Sequence, residues 1–529
     1  MCGVRILGSI PVSARPARSV RREWTVCLAL ASTVLMAACG PSSSPPDTAQ
    51  SATMPTTAAH APAKLEPRDC PDLPELADAQ CWTMEVRANR ITGQGTVRLP
   101  VARIPAEIQP AEPDPIVLLT GGPGNDAILD PPIPNGVGRN RDLILMSARG
   151  TLSAEPALTC PEIDAFYAER VGLVFGSPST GSKNADAAKA CYDRLSDSAD
   201  LAAFNTVEMS YDLAELRAAL EIDRWNIYSH SYGTDLALVY MRQDPQAIRS
   251  VTLDGVTPPS VAALGWTWAS AREAFDNMTA ACEAQPQCEA AYPDLADKFV
   301  DMVNKLEAQP ITTTVDVHGR NTTVVLDGGT LLNWFVPMAT HFPAEFPAAI
   351  YELAEGKPER IAQVWATVWT DPAKAGKFGW GLALSVWCSE WVPFETREDE
   401  LRMAAEAFPA FPDSVREQAP QLPFLREVCA VWRVPKGPDA IRDVTTSDIP
   451  TLVLSGSYDG QTGARWGHYV AADLSRSTEV TVPGVAHGIY TDPCAAQIAV
   501  SFYENPLEPD TGCVSAVQPP PYAVNPPPP

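Results

Sequence analysis

The chain has 529 residues, 45% of them hydrophobic, with 39 basic and 64 acidic side chains and a formal net charge of −25. Such a surface repels phosphate backbones, which excludes nucleic acid as an expected partner. The length leaves room for one large domain with an insertion, or for two domains.

Residues 1–38 read as an export signal. Arg15, Arg18, Arg21 and Arg22 precede a mostly apolar run, Trp24 to Ala38, which is too short and too soon followed by polar residues to span a bilayer. Leu35-Met36-Ala37-Ala38-Cys39 resembles a bacterial lipobox, with Met36 where the pattern prefers leucine. It implies an exported, membrane-anchored lipoprotein of a bacterial cell envelope, with lipidated Cys39 as its mature N-terminus. The other reading is an ordinary cleaved signal with Cys39 left in the tail. Residues 39–66 are expected to be a disordered tether, because the Pro/Ser/Thr/Ala stretch from Gly40 to Ala63 has little to pack.

Of thirteen cysteines, Cys2 and Cys27 leave with the leader and Cys39 is the lipid site. The remaining even set, without a CxxC pair, points to disulfides rather than to zinc or redox chemistry. Sequence does not fix connectivity. Pairing neighbours in order gives Cys70 with Cys81, Cys160 with Cys191, Cys282 with Cys288, Cys388 with Cys429 and Cys494 with Cys513.

Short apolar runs separated by helical patterns predict a mainly parallel sheet covered by helices. The predicted strands are Ile116 to Leu119, Leu143 to Met146, Trp225 to Tyr228, Val251 to Leu253, Thr451 to Leu454 and Thr478 to Val482. Helical spacing is predicted over Tyr211 to Leu220 and Tyr232 to Arg242. The first part of the core is assigned to 67–259 and a helical lid insertion to 260–445. The core then resumes over 446–517, and a poorly packed proline-rich tail is expected over 518–529.

Four features carry chemistry. Ser229-His230-Ser231-Tyr232-Gly233 lies between a strand and a helix and approximates a nucleophile elbow, with Ser229 where glycine is usual. A second match, Ser177-Pro178-Ser179-Thr180-Gly181, carries a proline inside it and leads into what reads as loop, so Ser179 is the decoy. Gly121-Gly122-Pro123-Gly124 follows a strand and brings a backbone N–H close to a substrate carbonyl. Pro123 has no N–H, so Gly122 and Tyr232 are the expected oxyanion donors. Asp459 ends the turn after the Thr451 strand, and His487 lies in the loop after the Thr478 strand.

A serine hydroxyl needs a base, and the base needs a carboxylate on its other nitrogen. The order Ser231, Asp459, His487 suits nucleophile, orienting acid and general base in an α/β-hydrolase fold. Asp254 is the rival acid, and His468 reads as a helix-face residue. No ligand cluster for a metal and no dinucleotide fingerprint is present, so no cofactor is expected.

The Gly-Gly-Pro-Gly loop, Asn205-Thr206, Asp212 and Trp225, the Ser-Tyr-Gly elbow, Leu253-Asp254-Gly255-Val256 and the Asp459 and His487 loops form one pattern. It resembles the prolyl aminopeptidase and tripeptidyl aminopeptidase branch of the α/β-hydrolases over most of Cys70 to Phe502. Thr120, Ser229 and the stretch Ser147 to Ser153 depart from the pattern. The resemblance implies exopeptidase action on peptide N-termini. An aminopeptidase needs a carboxylate for the substrate ammonium. Glu390, beside Cys388 in the lid, is the expected anchor and Glu208 the second choice. The alternatives are a carboxylesterase or lipase on the same triad, acting on a small ester, and a non-catalytic binding protein on a hydrolase scaffold.

Overall fold

The computed structural model describes residues 63–418 and 420–527. The predicted signal, Cys39 and most of the tether lie outside this range. The tether's end does not: Lys64–Arg68 is a strand, β1, paired antiparallel with β2 (Gln80–Asn89). β3 (Gln94–Ile104) continues this antiparallel edge. The central strands are β4 (Ile116–Leu119), β5 (Leu143–Met146), β6 (Trp225–His230) and β7 (Ile248–Asp254). β10 (Thr451–Gly456) and β11 (Ser477–Val482) complete the sheet after the insertion. The order is β1-β2-β3-β5-β4-β6-β7-β10-β11, parallel from β5 to β11.

The inner strands β4 and β5 read as unbroken apolar runs because both of their faces are covered, while β6, β7, β10 and β11 carry polar residues such as Asn226, Ser250, Ser455 and Glu479. β4 is Ile-Val-Leu-Leu, buried at every position. The helix Thr206–Ala219 begins where the Asn205 side chain accepts from the Glu208 N–H. Its Glu208 and Asp212 take up Arg90 and Arg149 in a buried ion-pair network. Paired buried charges hold that geometry because removing one partner would strand the others.

The segment inserted between β7 and β10, the expected lid, packs on a second apolar cluster around Phe275, Phe299, Phe335 and Trp365 that Val171, Phe175, Tyr458 and Tyr522 join from outside it. It is not purely helical. β8 (Ile311–Val317) and β9 (Arg320–Leu326) form a hairpin whose turn residues His318 and Gly319 both have positive φ. Among the described residues no helix is long and apolar enough to cross a membrane. Among the described residues five disulfides join the cysteines in neighbour order, the pairing offered above.

The C-terminal segment corrects the expectation of a poorly packed tail. Tyr522 is buried, its hydroxyl donates to the Met278 carbonyl at 2.7 Å, and the Ala523 N–H donates to the Ala344 carbonyl at 2.8 Å. Proline-rich backbone lacks some donors, but its extended shape and intact carbonyls suit it to lie along a lid surface.

Candidate active site

β6 ends at His230 and the helix Tyr232–Gln243 begins one residue later, leaving Ser231 alone at the turn. Its backbone has φ 55° and ψ −126°, a strained region for a residue with a side chain. The Ser231 N–H donates to the Asp254 carbonyl at 2.8 Å, fixing the turn to β7. Neighbouring positions must be small for definite reasons. A Cβ on Gly121 would lie 2.7 Å from Ser231 Cβ, and one on Gly233 would lie 2.5 Å from the Leu119 carbonyl oxygen. Ser229 fits where glycine was expected because it is buried and its hydroxyl donates to the Thr252 carbonyl at 2.7 Å.

Ser179 is placed differently. Residues 178–196 form a helix that Ser177 caps, so the stretch after Gly181, expected as loop, is helical. Ser179 is exposed, with its hydroxyl 2.5 Å from that of Ser177.

His487 Nδ1 is 2.9 Å from Asp459 Oδ2. That carboxylate is buried, and its other oxygen accepts from the backbone N–H groups of Gln461 and Thr462, both at 2.9 Å. The Thr462 hydroxyl donates to Oδ2 at 2.7 Å. Burial alone would raise the Asp459 pKa, but the His487 charge and these hydrogen bonds hold it well below the ordinary carboxylate range. Burial opposes protonation of His487, yet the Asp459 charge and hydrogen bond leave its pKa raised. With Nδ1 donating to Asp459, Nε2 is the nitrogen that remains to act as base. Among the described residues, no hydrogen bond joins Ser231 to His487.

The rival Asp254 is occupied elsewhere. One oxygen accepts from the Tyr228 hydroxyl at 2.6 Å, and the other lies 3.0 Å from His230 Nδ1. The His230 and His487 rings are 4.8 Å apart. His468 sits on an exposed helix face, 3.2 Å from Glu479, as its spacing suggested.

Gly122 has φ +113°, and a Cβ there would come within 2.6 Å of the Gly124 nitrogen, so the tight loop requires glycine. Among the described residues nothing accepts from its N–H. The Tyr232 N–H opens a helix, where the first amides have no partner within the helix. The lid covers this loop: the Gly379 N–H donates to the Gly124 carbonyl at 2.9 Å, and the Phe378 ring packs over Gly122 and Gly124. Beneath lies a small, mostly apolar cavity of about 20 Å³ lined by Met146, Met209, Tyr232, Leu236 and Leu382.

The helix Trp380–Val386 widens into a π-helical turn over Trp387–Trp391 that carries Glu390, with Cys388 bonded to Cys429. Glu390 is 3% exposed. The Thr206 N–H donates to its Oε1 at 2.8 Å and the Thr206 hydroxyl to its Oε2 at 2.5 Å. That hydroxyl is also 2.5 Å from the Tyr232 hydroxyl, so a single threonine joins the elbow to Glu390. Burial pushes the Glu390 carboxyl up to about 7 despite these bonds. Among the described residues it makes no ion pair. Glu208, the second choice, is taken up by Arg90 at 2.6 Å and is part of the scaffold. Thr206, Thr462 and His230 were not singled out as site residues from sequence, since a lone hydroxyl or imidazole has no signature until its partner is known.

The alpha/beta hydrolase fold family model matches residues 114–314, and the TAP-like protein model matches residues 421–515. The chain is 24% identical over 433 residues to serine protease Hip1 of Mycobacterium tuberculosis, covering 75% of this chain and 80% of that protein. It is 23% identical over 354 residues to putative hydrolase YuaR of Escherichia coli, covering 64% and 66%. A solved proline iminopeptidase of Mycobacterium smegmatis shares 14% identity with a TM-score of 0.33, covering 81% of this chain and 92% of that one. The first model runs from before β4 into the inserted segment and the second takes up the end of that segment with β10 and β11, so that, with the sheet order described above, the chain has the α/β-hydrolase fold and carries a TAP-like part over residues 421–515.

Proposed function

We propose that this hydrolase is a serine peptidase that releases residues or short peptides from free peptide N-termini. Ser231 is the nucleophile, His487 the general base and Asp459 the orienting acid. The single observation that supports this most is the Ser231 backbone, a non-glycine at φ 55° on a strand-to-helix turn. Strain of this kind persists only where the surroundings impose it, and here it exposes a hydroxyl beside a helix N-terminus. His487 Nε2 takes the Ser231 proton as Oγ attacks the scissile carbonyl, and the imidazolium is stabilised by Asp459. The developing oxyanion accepts from the Gly122 and Tyr232 N–H groups. His487 then gives its proton to the leaving amine, and a water activated by the same ring hydrolyses the acyl-enzyme.

The preference for a free N-terminus rests on Glu390. A buried carboxylate without a cation is costly, and a substrate ammonium supplies the missing charge. Thr206 ties this carboxylate to Tyr232, so anchor and nucleophile keep a fixed relation. The test compares free and N-acetylated peptide amides, with short acyl esters as controls. A preference for free N-termini of about tenfold or more supports the reading, since a charge-assisted contact contributes about 1.5 to 3 kcal/mol. Equal rates on free and blocked peptides would favour carboxylesterase action instead. The export signal and lipid anchor at Cys39 belong to the same proposal, and the five disulfides suit an oxidising compartment.

A further inference from the structure

The loops that carry Asp459 and His487 are knitted together. The Tyr458 N–H donates to the Val485 carbonyl at 2.9 Å, and the Gly484 N–H donates to the Ser457 hydroxyl at 2.7 Å. The proline-rich segment lies across both. Gly484 has φ +72°, and a Cβ there would stand 2.6 Å from Pro519 Cα and from Pro520 Cδ, so the segment crosses the histidine loop in direct contact. Two residues on, Tyr522 reaches the acid loop: its hydroxyl is 3.1 Å from that of Tyr458, the residue before Asp459. Because Tyr522 donates its proton to Met278, Tyr458 must be the donor between them.

The segment is held on the lid side as well. The Gln285 side chain clasps it, donating to the Pro520 carbonyl at 3.1 Å and accepting from the Tyr522 N–H at 3.0 Å. The Cys282–Cys288 disulfide brackets Gln285, and the Cys494–Cys513 disulfide fixes the chain just before the prolines. Tyr458 and Tyr522 are both members of the lid's apolar cluster. The acid loop is therefore seated against the lid through a tyrosine pair as well as through its own backbone, where the Asn277 side chain donates to the Ser457 carbonyl at 2.8 Å and the Gly463 N–H donates to the Ser270 hydroxyl at 3.0 Å.

We propose that the proline-rich C-terminal segment is a strap that sets the Asp459 loop against the His487 loop, with Tyr522 as a positioning residue acting through Tyr458. The proposal rests on the Ser231, His487 and Asp459 reading above. Its logic is geometric: a displacement of about 1 Å at a reacting group can cost on the order of a hundredfold in rate. A strap anchored by prolines on one loop and a buried ring on the other limits such displacement at little entropic cost, since proline is already restricted in the unfolded chain.

The test uses the full chain and hydrolysis of a small acyl ester. Tyr522→Ala is expected to lower kcat by about ten- to a hundredfold with KM within about twofold. The acidic limb of its kcat/KM profile should move to lower pH, because His487 loses part of the upward pull of Asp459. The other titratable groups facing His487, namely Asp254, His230 and His341, are expected to stay in place, as is Tyr490, which packs on His230. In an Asp459→Asn background the same substitution should cost less than about twofold, since the loop it positions has no acid left to present. An equal loss in both backgrounds, or an unmoved acidic limb, would overturn the strap. If Tyr522→Ala does not fold, Tyr522→Phe keeps the ring and removes only the hydroxyl contacts. It should shift the limb in the same direction by less, and an unchanged profile again overturns the proposal. Full activity of Asp459→Asn alone would overturn the acid's assignment and the strap together, so the two failures are distinguishable.

Discussion

Asp254 ends β7 and Asp459 lies in the turn after the neighbouring parallel β10, yet of the two only Asp459 reaches the His487 ring at hydrogen-bond distance, with Oδ2 2.9 Å from Nδ1. Asp254 binds Tyr228 and His230 instead. Asp459→Asn is therefore expected to lower turnover by about a thousandfold or more, as when the wrong imidazole tautomer is imposed. Asp254→Asn should cost less than about tenfold. Steady-state kinetics on one ester checks both, and a larger loss for Asp254→Asn would reassign the acid.

Ser231→Ala should abolish both hydrolysis and labelling by a fluorophosphonate probe. Ser179→Ala should leave both intact, because Ser179 lies in the exposed first turn of a helix and, among the described residues, its hydroxyl meets that of Ser177 rather than an imidazole. Intact-mass analysis of labelled protein decides the matter, and label on the Ser231→Ala variant would refute the assignment.

The strain at the elbow predicts an asymmetry between two small residues. Gly233→Ala should reduce soluble, folded protein or destabilise it by about 1 to 3 kcal/mol, since its Cβ would meet the Leu119 carbonyl with nowhere to relax. Ser229→Gly should cost about 1 kcal/mol, the order of one lost hydrogen bond plus the greater backbone freedom of glycine. Denaturant unfolding of the two variants measures the contrast.

Substrate choice should depend on pH through Glu390. Burial raises its carboxyl to about 7, so the fraction ionised rises with pH through neutrality. The preference for a free over an acetylated N-terminus should be largest at about pH 7.5, where Glu390 is ionised and the substrate ammonium, with an ordinary pKa of about 8, is still largely protonated, and it should shrink as pH falls to about 5.5, while ester hydrolysis follows His487 alone. Glu390→Gln should erase most of the preference at every pH and leave the ester rate nearly unchanged. A preference that survives Glu390→Gln would move the anchor elsewhere.

The export proposal predicts a mature chain that begins at an acylated Cys39 and partitions with membranes. N-terminal mass spectrometry of protein from a bacterial envelope fraction checks it. A soluble chain starting at another residue would leave an ordinary secretory signal.

The sequence by itself determined the parallel strands, the elbow and the order of Ser231, Asp459 and His487. Each of these is a local pattern: β4 and β5 are continuous apolar runs, β10 has an apolar Leu-Val-Leu centre, and a turn that sharp accepts only small neighbours. Sequence left the cysteine connectivity open, and the neighbour-order pairing is the one formed, with bonded residues no more than 41 positions apart. The edge strands and the β8–β9 hairpin escaped because alternating, half-exposed runs such as Ile-Thr-Thr-Thr-Val-Asp-Val carry a weaker signal than buried ones. Only the tertiary structure decided which aspartate meets His487, since Asp254 and Asp459 look alike until their partners are known. It also decided that Glu208 is neutralised by Arg90 while Glu390, among the described residues, makes no ion pair, and that the proline-rich end is packed. Those outcomes depend on contacts between residues far apart in the chain, such as Thr206 with Glu390 and Tyr458 with Tyr522, which no local pattern encodes.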